Sequence, residues 1–275
     1  MPPKISICIA CCNEEAKIEY ALKSAKACSW CNELLVYDSG STDRTVEIAR
    51  KYADRIEFHK WIDYSTSKKN MTHGAINDWV FILDADEEIS PCLAQEIADL
   101  PGKTFCGHSV MIMPRRNFLL GKYVRSWDPD YQNRLIDRKR VYWPKRSIHD
   151  ERKPTEGSKL LLKKHLIHNR AVDDFSDYFD GLRYEHRINL MAQELFERGK
   201  RTSFLNLFFR PFLTFLKYYI LKKGILDGSF GLLIAQKAMV SVQLKYAKLW
   251  HLQQHENNKG HSHDTSKSNG CDSNI

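Results

Sequence analysis

A chain of 275 residues, 43% of them apolar, can bury the core of one large α/β domain or of one domain with an appendage. Its 42 basic and 34 acidic residues leave a formal charge of +8, which suits phosphates or an anionic membrane surface. That excess is mild and the sequence carries no DNA- or RNA-binding motif, so nucleic acid is excluded as a partner. The N-terminus has no signal-peptide pattern, and eight cysteines then fit the reducing cytosol.

Apolar runs alternate with amphipathic segments through the first hundred residues. Strands are predicted at residues 5–10, 34–37, 55–59 and 79–83. Helices are predicted after a cap at Asn13, over residues 43–53 and 65–77, and from Ser90 and Pro91 onward. This order predicts a three-layer α/β domain around a mostly parallel sheet, extending over residues 1–170.

The pattern changes in the second half of the chain. Strands are predicted at residues 108–113 and 132–136, with a long loop over 114–130 between them. Residues 171–250 are predicted to be helical, and residues 251–275 to form a disordered polar tail.

Residues 199–226 combine aromatic side chains with six basic residues and no acidic one. Arg210, Pro211 and Lys217 interrupt the apolar run, which argues against a spanning helix. The segment is typical of a helix that lies in a membrane interface. The alternative is an ordinary core helix with basic ends.

Carboxylates follow two of the predicted strands. Asp38 ends the second strand, and Asp84 and Asp86 follow the fourth. The carboxyl ends of parallel strands share one edge, where α/β sheets bind ligands. Asp38 and Asp84 could accept hydrogen bonds from a base or ribose, while Asp86 could hold a divalent cation on a diphosphate. For Asp38 the alternative is a structural turn residue.

Glycine-rich phosphate loops are absent: the sequence has neither G-x-G-x-x-G after its first strand nor G-x-x-x-x-G-K-[ST]. The cation must therefore carry most of the phosphate charge, with Lys68 or Lys69 as helpers or, alternatively, as part of a solvated helix face. The same absence disfavours a sugar-phosphate nucleotidyltransferase, the rival class of enzyme.

The chain resembles family 2 inverting glycosyltransferases, and more closely the lipopolysaccharide core glucosyltransferases of the WaaE/KdtX type. The motifs that carry the resemblance are Asn13-Glu14-Glu15, Asp38-Ser-Gly-Ser-Thr-Asp43, Lys69-Asn70, Asp84-Ala-Asp86, Gln132-Asn-Arg134, His149-Asp150 and His165-Leu-Ile-His168.

That resemblance implies a GT-A fold and the transfer of glucose from UDP-glucose to an inner-core heptose. A polyprenyl-linked or other surface-glycan acceptor stays as an alternative. The resemblance also implies that Asp38 and Asp84 contact the nucleoside and that Asp86 binds Mg²⁺ or Mn²⁺ on the UDP diphosphate. Further substrate-binding residues would be Asn13, Glu15, Lys69, Gln132, Arg134 and His149.

The catalytic base would be Asp150 or Glu151, because relatives usually show His-Glu where this chain has His149-Asp150-Glu151. Asp150 is preferred, since it directly follows the histidine. With a lipid-linked acceptor, the protein is expected at the inner face of the cytoplasmic membrane, as a peripheral protein.

Overall fold

The computed structural model describes residues 1–144, 152–169 and 181–268. Contacts between Cα atoms divide the chain into two compact units, Met1–Tyr178 and Phe179–Ile275, which are described separately.

The first unit begins with four parallel strands joined by helices. Its elements are β1 (Ile5–Cys11), α1 (Ile18–Lys26), β2 (Cys31–Asp38), α2 (Thr45–Ala49), β3 (Arg55–Phe58), α3 (Tyr64–Gly74) and β4 (Trp79–Asp84). The strands pair in the order β3-β2-β1-β4, all in parallel. Because β1 and β4 lie inside this sheet, their sequences are continuous apolar runs.

The rest of the unit extends the same sheet with strands of both directions and adds a separate two-stranded antiparallel sheet. The elements are β5 (Glu87–Ile89), α4 (Pro91–Ala98), α5 (Gly102–Gly107), β6 (His108–Leu119), β7 (Lys122–Tyr123), a 3₁₀ turn (Arg125–Trp127), β8 (Tyr131–Asp137), β9 (Val141–Tyr142), β10 (Lys153–Pro154), β11 (Ser158–Leu161) and β12 (Leu166–Asn169). Past β4 the order is β8-β6-β12-β5. β5 follows β4 directly in sequence yet lies at the far end of this path, so the sheet curls and residues 85–86 connect a central strand, β4, to the last strand, β5.

Core side chains cover both faces of the sheet, which gives the predicted three layers. On one face Ile7 and Ile9 of β1 pack with Leu22 of α1 and Ile97 of α4. On the other face the buried cluster includes Cys8, Leu35, Met71, Val80 and Ile82. Each such fully buried aliphatic side chain contributes roughly 1.5–3 kcal/mol of stabilisation.

Several predicted boundaries were wrong. α1 begins at Ile18 rather than after a cap at Asn13, which has a left-handed φ of 54°. α2 ends at Ala49, four residues short of the prediction. Residues 114–119 continue β6, where a loop was predicted; residues 115–118 pair with β12, and Phe118 and Leu119 pair with β7.

The second unit is helical. It contains α6 (Gly181–Glu197), α7 (Phe204–Leu216), a π-helical turn (Lys217–Leu221), a 3₁₀ turn (Gly224–Asp227) and α8 (Ser229–Ser268). Both α6 and α7 pack on α8. A Cβ on Gly231 would lie 1.7 Å from the carbonyl oxygen of Gly224, so the backbones touch there and glycine is required.

α8 continues through Ser268, so residues 251–268 are helical where a disordered tail was predicted. Among the described residues, no helix has the length and apolar character needed to span a membrane.

Candidate active site

Asp84, the last residue of β4, is held between two cations. Lys68 Nζ donates a hydrogen bond to its Oδ1 at 2.6 Å, and Arg134 Nη2 donates to its Oδ2. Burial raises the pKa of Asp84, but the positive charges of Arg134 and Lys68 lower it more, so the pKa lies well below its usual range. The carboxylate is therefore ionised and fixed in orientation at the carboxyl edge of the sheet.

The same contacts extend into a larger ionic cluster. Arg134 also donates to Glu87 Oε1. Arg115 donates from Nη1 to Glu87 Oε1 at 2.7 Å and from Nε to Asp130 Oδ2 at 2.8 Å. We call this set the ionic cluster; it pairs Lys68, Arg115 and Arg134 with Asp84, Glu87 and Asp130. Its three positive and three negative charges offset much of the cost of burying each one.

Asp86 lies just beyond β4 and meets His168 at the end of β12. The distance between Asp86 Oδ2 and His168 Nε2 is 3.1 Å. The other ring nitrogen, Nδ1, lies 2.6 Å from Asn117 Oδ1. Asn117 donates from Nδ2 to Asp130 Oδ2 at 2.9 Å, which fixes the orientation of its amide. Because Asn117 Oδ1 can only accept, His168 Nδ1 must carry a proton.

This tautomer leaves the lone pair of a neutral His168 pointing at a carboxylate oxygen of Asp86. Two acceptors at that distance are stabilised only by a proton or a cation between them. An imidazole whose other nitrogen donates to a fixed oxygen is the usual geometry of a metal-binding histidine. With a cation rather than a proton between them, the pair could supply two ligands to a divalent ion whose remaining ligands come from water and phosphate. Within the described residues, the two side chains belong to no group of three or more potential metal ligands.

Asp38 lies at the end of β2, with its side chain buried in its own turn. Its Oδ2 accepts hydrogen bonds from the backbone N–H groups of Gly40 and Ser41, each at 2.9 Å. Its Oδ1 accepts from the hydroxyl of Ser41. The turn role that the sequence left open is thus the one observed, and the Ser41 hydroxyl and Cys11 Sγ, the latter at 3.6 Å, both contact Oδ1 where a ligand would have to approach.

Asn13 and Glu15 join the loop after β1 to the loop after β2. Asn13 Oδ1 accepts from the backbone N–H of Thr42 at 2.8 Å, and Glu15 Oε2 accepts from that of Arg44 at 3.0 Å. These two side chains hold the neighbouring loops in register at the edge where the nucleoside was expected.

Comparisons with known proteins identify the family. The model of "Glycosyl transferase family 2" matches residues 6–156, more than half of the chain. The chain belongs to glycosyl transferase family 2. It is a glycosyltransferase, which confirms the enzyme class predicted from the sequence.

Relatives of this glycosyltransferase include the lipopolysaccharide core biosynthesis glycosyltransferase LpsC of Rhizobium meliloti. The two are 28% identical over 262 residues, which cover 91% of this chain and 94% of LpsC. An uncharacterized glycosyltransferase of Rickettsia typhi is 40% identical over 94 residues, 34% of this chain and 32% of that protein. The predicted resemblance to lipopolysaccharide core enzymes is confirmed.

Among solved structures, the mannosyltransferase PcManGT of Pyrobaculum calidifontis, in complex with GDP-Man and Mn²⁺, superposes with a TM-score of 0.54. It is 12% identical and the match covers 90% of this chain and 87% of that one. This likeness concerns the fold alone, and the predicted GT-A type α/β fold is confirmed.

The remaining predicted site residues of this glycosyltransferase differ in their exposure and in their contacts. Lys69 is exposed on α3, and its neighbour Lys68 is the lysine that contacts Asp84. Gln132 Nε2 donates to Asp130 Oδ1 at 2.6 Å. Arg134 is 2% exposed and belongs to the ionic cluster, so it positions Asp84 rather than presenting its guanidinium to solvent.

Two groups of residues complete the comparison with the sequence. His149, Asp150 and Glu151 lie outside the described residues. His168 was part of a recognised motif but had no predicted role. Its place in the His165-Leu-Ile-His168 motif was the signal that could have pointed to it.

Proposed function

We propose that this glycosyltransferase moves a hexose, glucose from UDP-glucose, onto a heptose of the lipopolysaccharide inner core with the help of Mg²⁺ or Mn²⁺. The observation that carries metal-assisted transfer is the pairing of Asp86 Oδ2 with His168 Nε2 at 3.1 Å, with Nδ1 committed to Asn117. The acceptor class is supported by the similarity to LpsC, which extends over most of both chains.

In this proposal the residues at the edge of the sheet bind the donor. Asp86 and His168 would hold the cation, which would supply positive charge beside the departing diphosphate. Asp84 keeps lone pairs beyond those used by Lys68 and Arg134, so it can also accept a ribose hydroxyl. Asp38 Oδ1 would accept a base N–H in place of the Ser41 hydroxyl, while Oδ2 continues to hold the turn.

The transfer itself is a single displacement. The acceptor oxygen bonds to the anomeric carbon as the bond from that carbon to the UDP oxygen breaks, which inverts the configuration. A carboxylate takes the proton of the acceptor hydroxyl. We assign this base to Asp150 or Glu151, with Asp150 preferred because it follows His149 directly.

Comparing two isosteric variants distinguishes the candidate bases. Asp150→Asn should lower the single-turnover rate by a factor of about 10²–10⁴, because general-base catalysis typically contributes that much. Glu151→Gln should retain the rate within a few-fold. Rapid-quench measurement at saturating donor reports the chemical step directly. The opposite ranking would make Glu151 the base.

A screen of donors and acceptors tests the function as a whole. The purified enzyme would be offered UDP-glucose, UDP-galactose, UDP-N-acetylglucosamine and GDP-mannose. The acceptors would be heptose-containing core lipopolysaccharide and polyprenyl phosphate. We expect UDP release and a β-linked glucose on heptose, read by NMR. Transfer only to polyprenyl phosphate would contradict the acceptor, and pyrophosphate release would indicate a nucleotidyltransferase.

A further inference from the structure

The outward face of α7 is apolar and aromatic. Phe204, Phe208 and Phe212 recur every four residues, with exposed fractions of 78%, 65% and 54%. A second exposed row runs beside them. We call these two rows the α7 apolar face; its members are Phe204, Leu205, Phe208, Phe209, Phe212 and Leu213.

The opposite side of α7 carries polar side chains that face α8. Arg210 Nη1 donates to the Tyr246 hydroxyl of α8 at 2.6 Å, and Arg210 Nε donates to Asn206 Oδ1 at 3.0 Å. Pro211 is buried on the same helix. A surface helix normally turns its apolar stripe inward, whereas this helix exposes most of its large apolar side chains.

Basic residues continue this surface beyond α7. The next two turns expose Ile220, Leu221, Ile225 and Leu226. Lys217, Lys222 and Lys223 are interleaved with them, and residues 198–226 contain no acidic residue. Large apolar side chains suit the acyl boundary of an anionic membrane, and the basic residues among them, with no acidic residue in that stretch, suit its phosphates.

We propose that the α7 apolar face inserts into the headgroup boundary of an anionic phospholipid bilayer, with the helix lying in the plane of the membrane. Lys217, Lys222 and Lys223 would lie at the level of the lipid phosphates. A second copy of the chain fits this surface poorly, because a two-fold contact would bring identical basic residues together. The inference goes beyond sugar transfer and does not depend on the donor or the acceptor.

Vesicle flotation tests the proposal with the full-length chain. The wild type should float with vesicles of phosphatidylcholine and phosphatidylglycerol. The variant Phe204→Ser/Phe208→Ser/Phe212→Ser should bind at least about a hundredfold more weakly, because its apolar insertion is lost. The variant Lys217→Gln/Lys222→Gln/Lys223→Gln should lose on the order of a hundredfold of its affinity for anionic vesicles. Its weaker binding to pure phosphatidylcholine should stay unchanged.

A matched control replaces exposed apolar residues by Ser at positions outside the α7 apolar face. Ile76→Ser/Leu161→Ser removes exposed apolar side chains of the first unit and should leave vesicle binding unchanged. Circular dichroism should show wild-type helix content in all variants, since the altered side chains are exposed apart from the half-buried Lys222, which packs over Tyr218. Equal flotation of the wild type and the triple phenylalanine variant would overturn the proposal. So would a wild-type dimer, seen by sedimentation, that the same variant abolishes without loss of vesicle binding.

Discussion

Replacing Asp86 by Asn should reduce sugar transfer by roughly a thousandfold or more and leave the fold intact. A bound cation contributes several kcal/mol of charge stabilisation to the transition state, and about 1.4 kcal/mol corresponds to a tenfold change in rate. Asn keeps the shape of the side chain but removes the negative charge that would, together with His168 Nε2, bind the cation. Initial rates with UDP-glucose over a series of Mn²⁺ concentrations would measure the loss.

Two companion variants show whether the loss comes from metal binding. His168→Gln should also lower transfer and raise the Mn²⁺ concentration needed for half-maximal rate, because it removes the nitrogen ligand. Glu88→Gln is the matched control, since Glu88 lies two residues from Asp86 and contacts Asn169 at 2.6 Å instead. It should stay within a few-fold of wild type. Near-normal turnover of Asp86→Asn, or an equal loss in Glu88→Gln, would contradict the assignment of Asp86 as a metal ligand.

The sequence predicted the parallel half of the sheet because its strands are apolar on both faces. The runs in β1 and β4 have no other plausible location than a buried sheet, and the carboxylates that follow them mark its edge. The three-layer α/β arrangement and the position of Asp84 and Asp86 at the edge of its sheet therefore followed from local pattern, whereas the GT-A type followed from the family resemblance.

The polar half of the site could not be predicted in this way. Arg115 and Asn117 interrupt the apolar pattern of β6, so this stretch was interpreted as loop, although both side chains are paired inside the sheet. His168 reaches Asp86 from 82 positions away along the chain. The choice of Lys68 over Lys69 depends on the rotation of α3 about its axis. Each of these facts is set by tertiary contacts that no local sequence pattern records.

Replacing Arg134 by Met should destabilise the first unit by about 3–5 kcal/mol, because removing one partner of a buried ion pair leaves charges without compensation. Arg134 is 2% exposed and donates to both Asp84 and Glu87. Met fills much of the same volume, so packing changes little and the effect reports on charge. Urea unfolding followed by fluorescence would give the difference in the free energy of unfolding.

An exposed pair supplies the control for this substitution. Arg44 lies 3.4 Å from Glu15 and its side chain is 74% exposed. Arg44→Met removes the same side chain in the same way, and it should cost less than about 1 kcal/mol because water screens the pair. Equal losses in Arg44→Met and Arg134→Met would mean that the ionic cluster is hydrated rather than buried.

The double variant Arg134→Met/Glu87→Gln separates charge balance from geometry. It removes one positive and one negative charge, so Lys68 and Arg115 again balance Asp84 and Asp130. If charge dominates, the double variant should be more stable than Arg134→Met, with a coupling energy of about 1–3 kcal/mol. If the double variant is no more stable than the single one, the loss comes from the guanidinium geometry that fixes Asp84. A folded double variant that still transfers sugar slowly would then show that the orientation of Asp84, and not only its charge, serves donor binding.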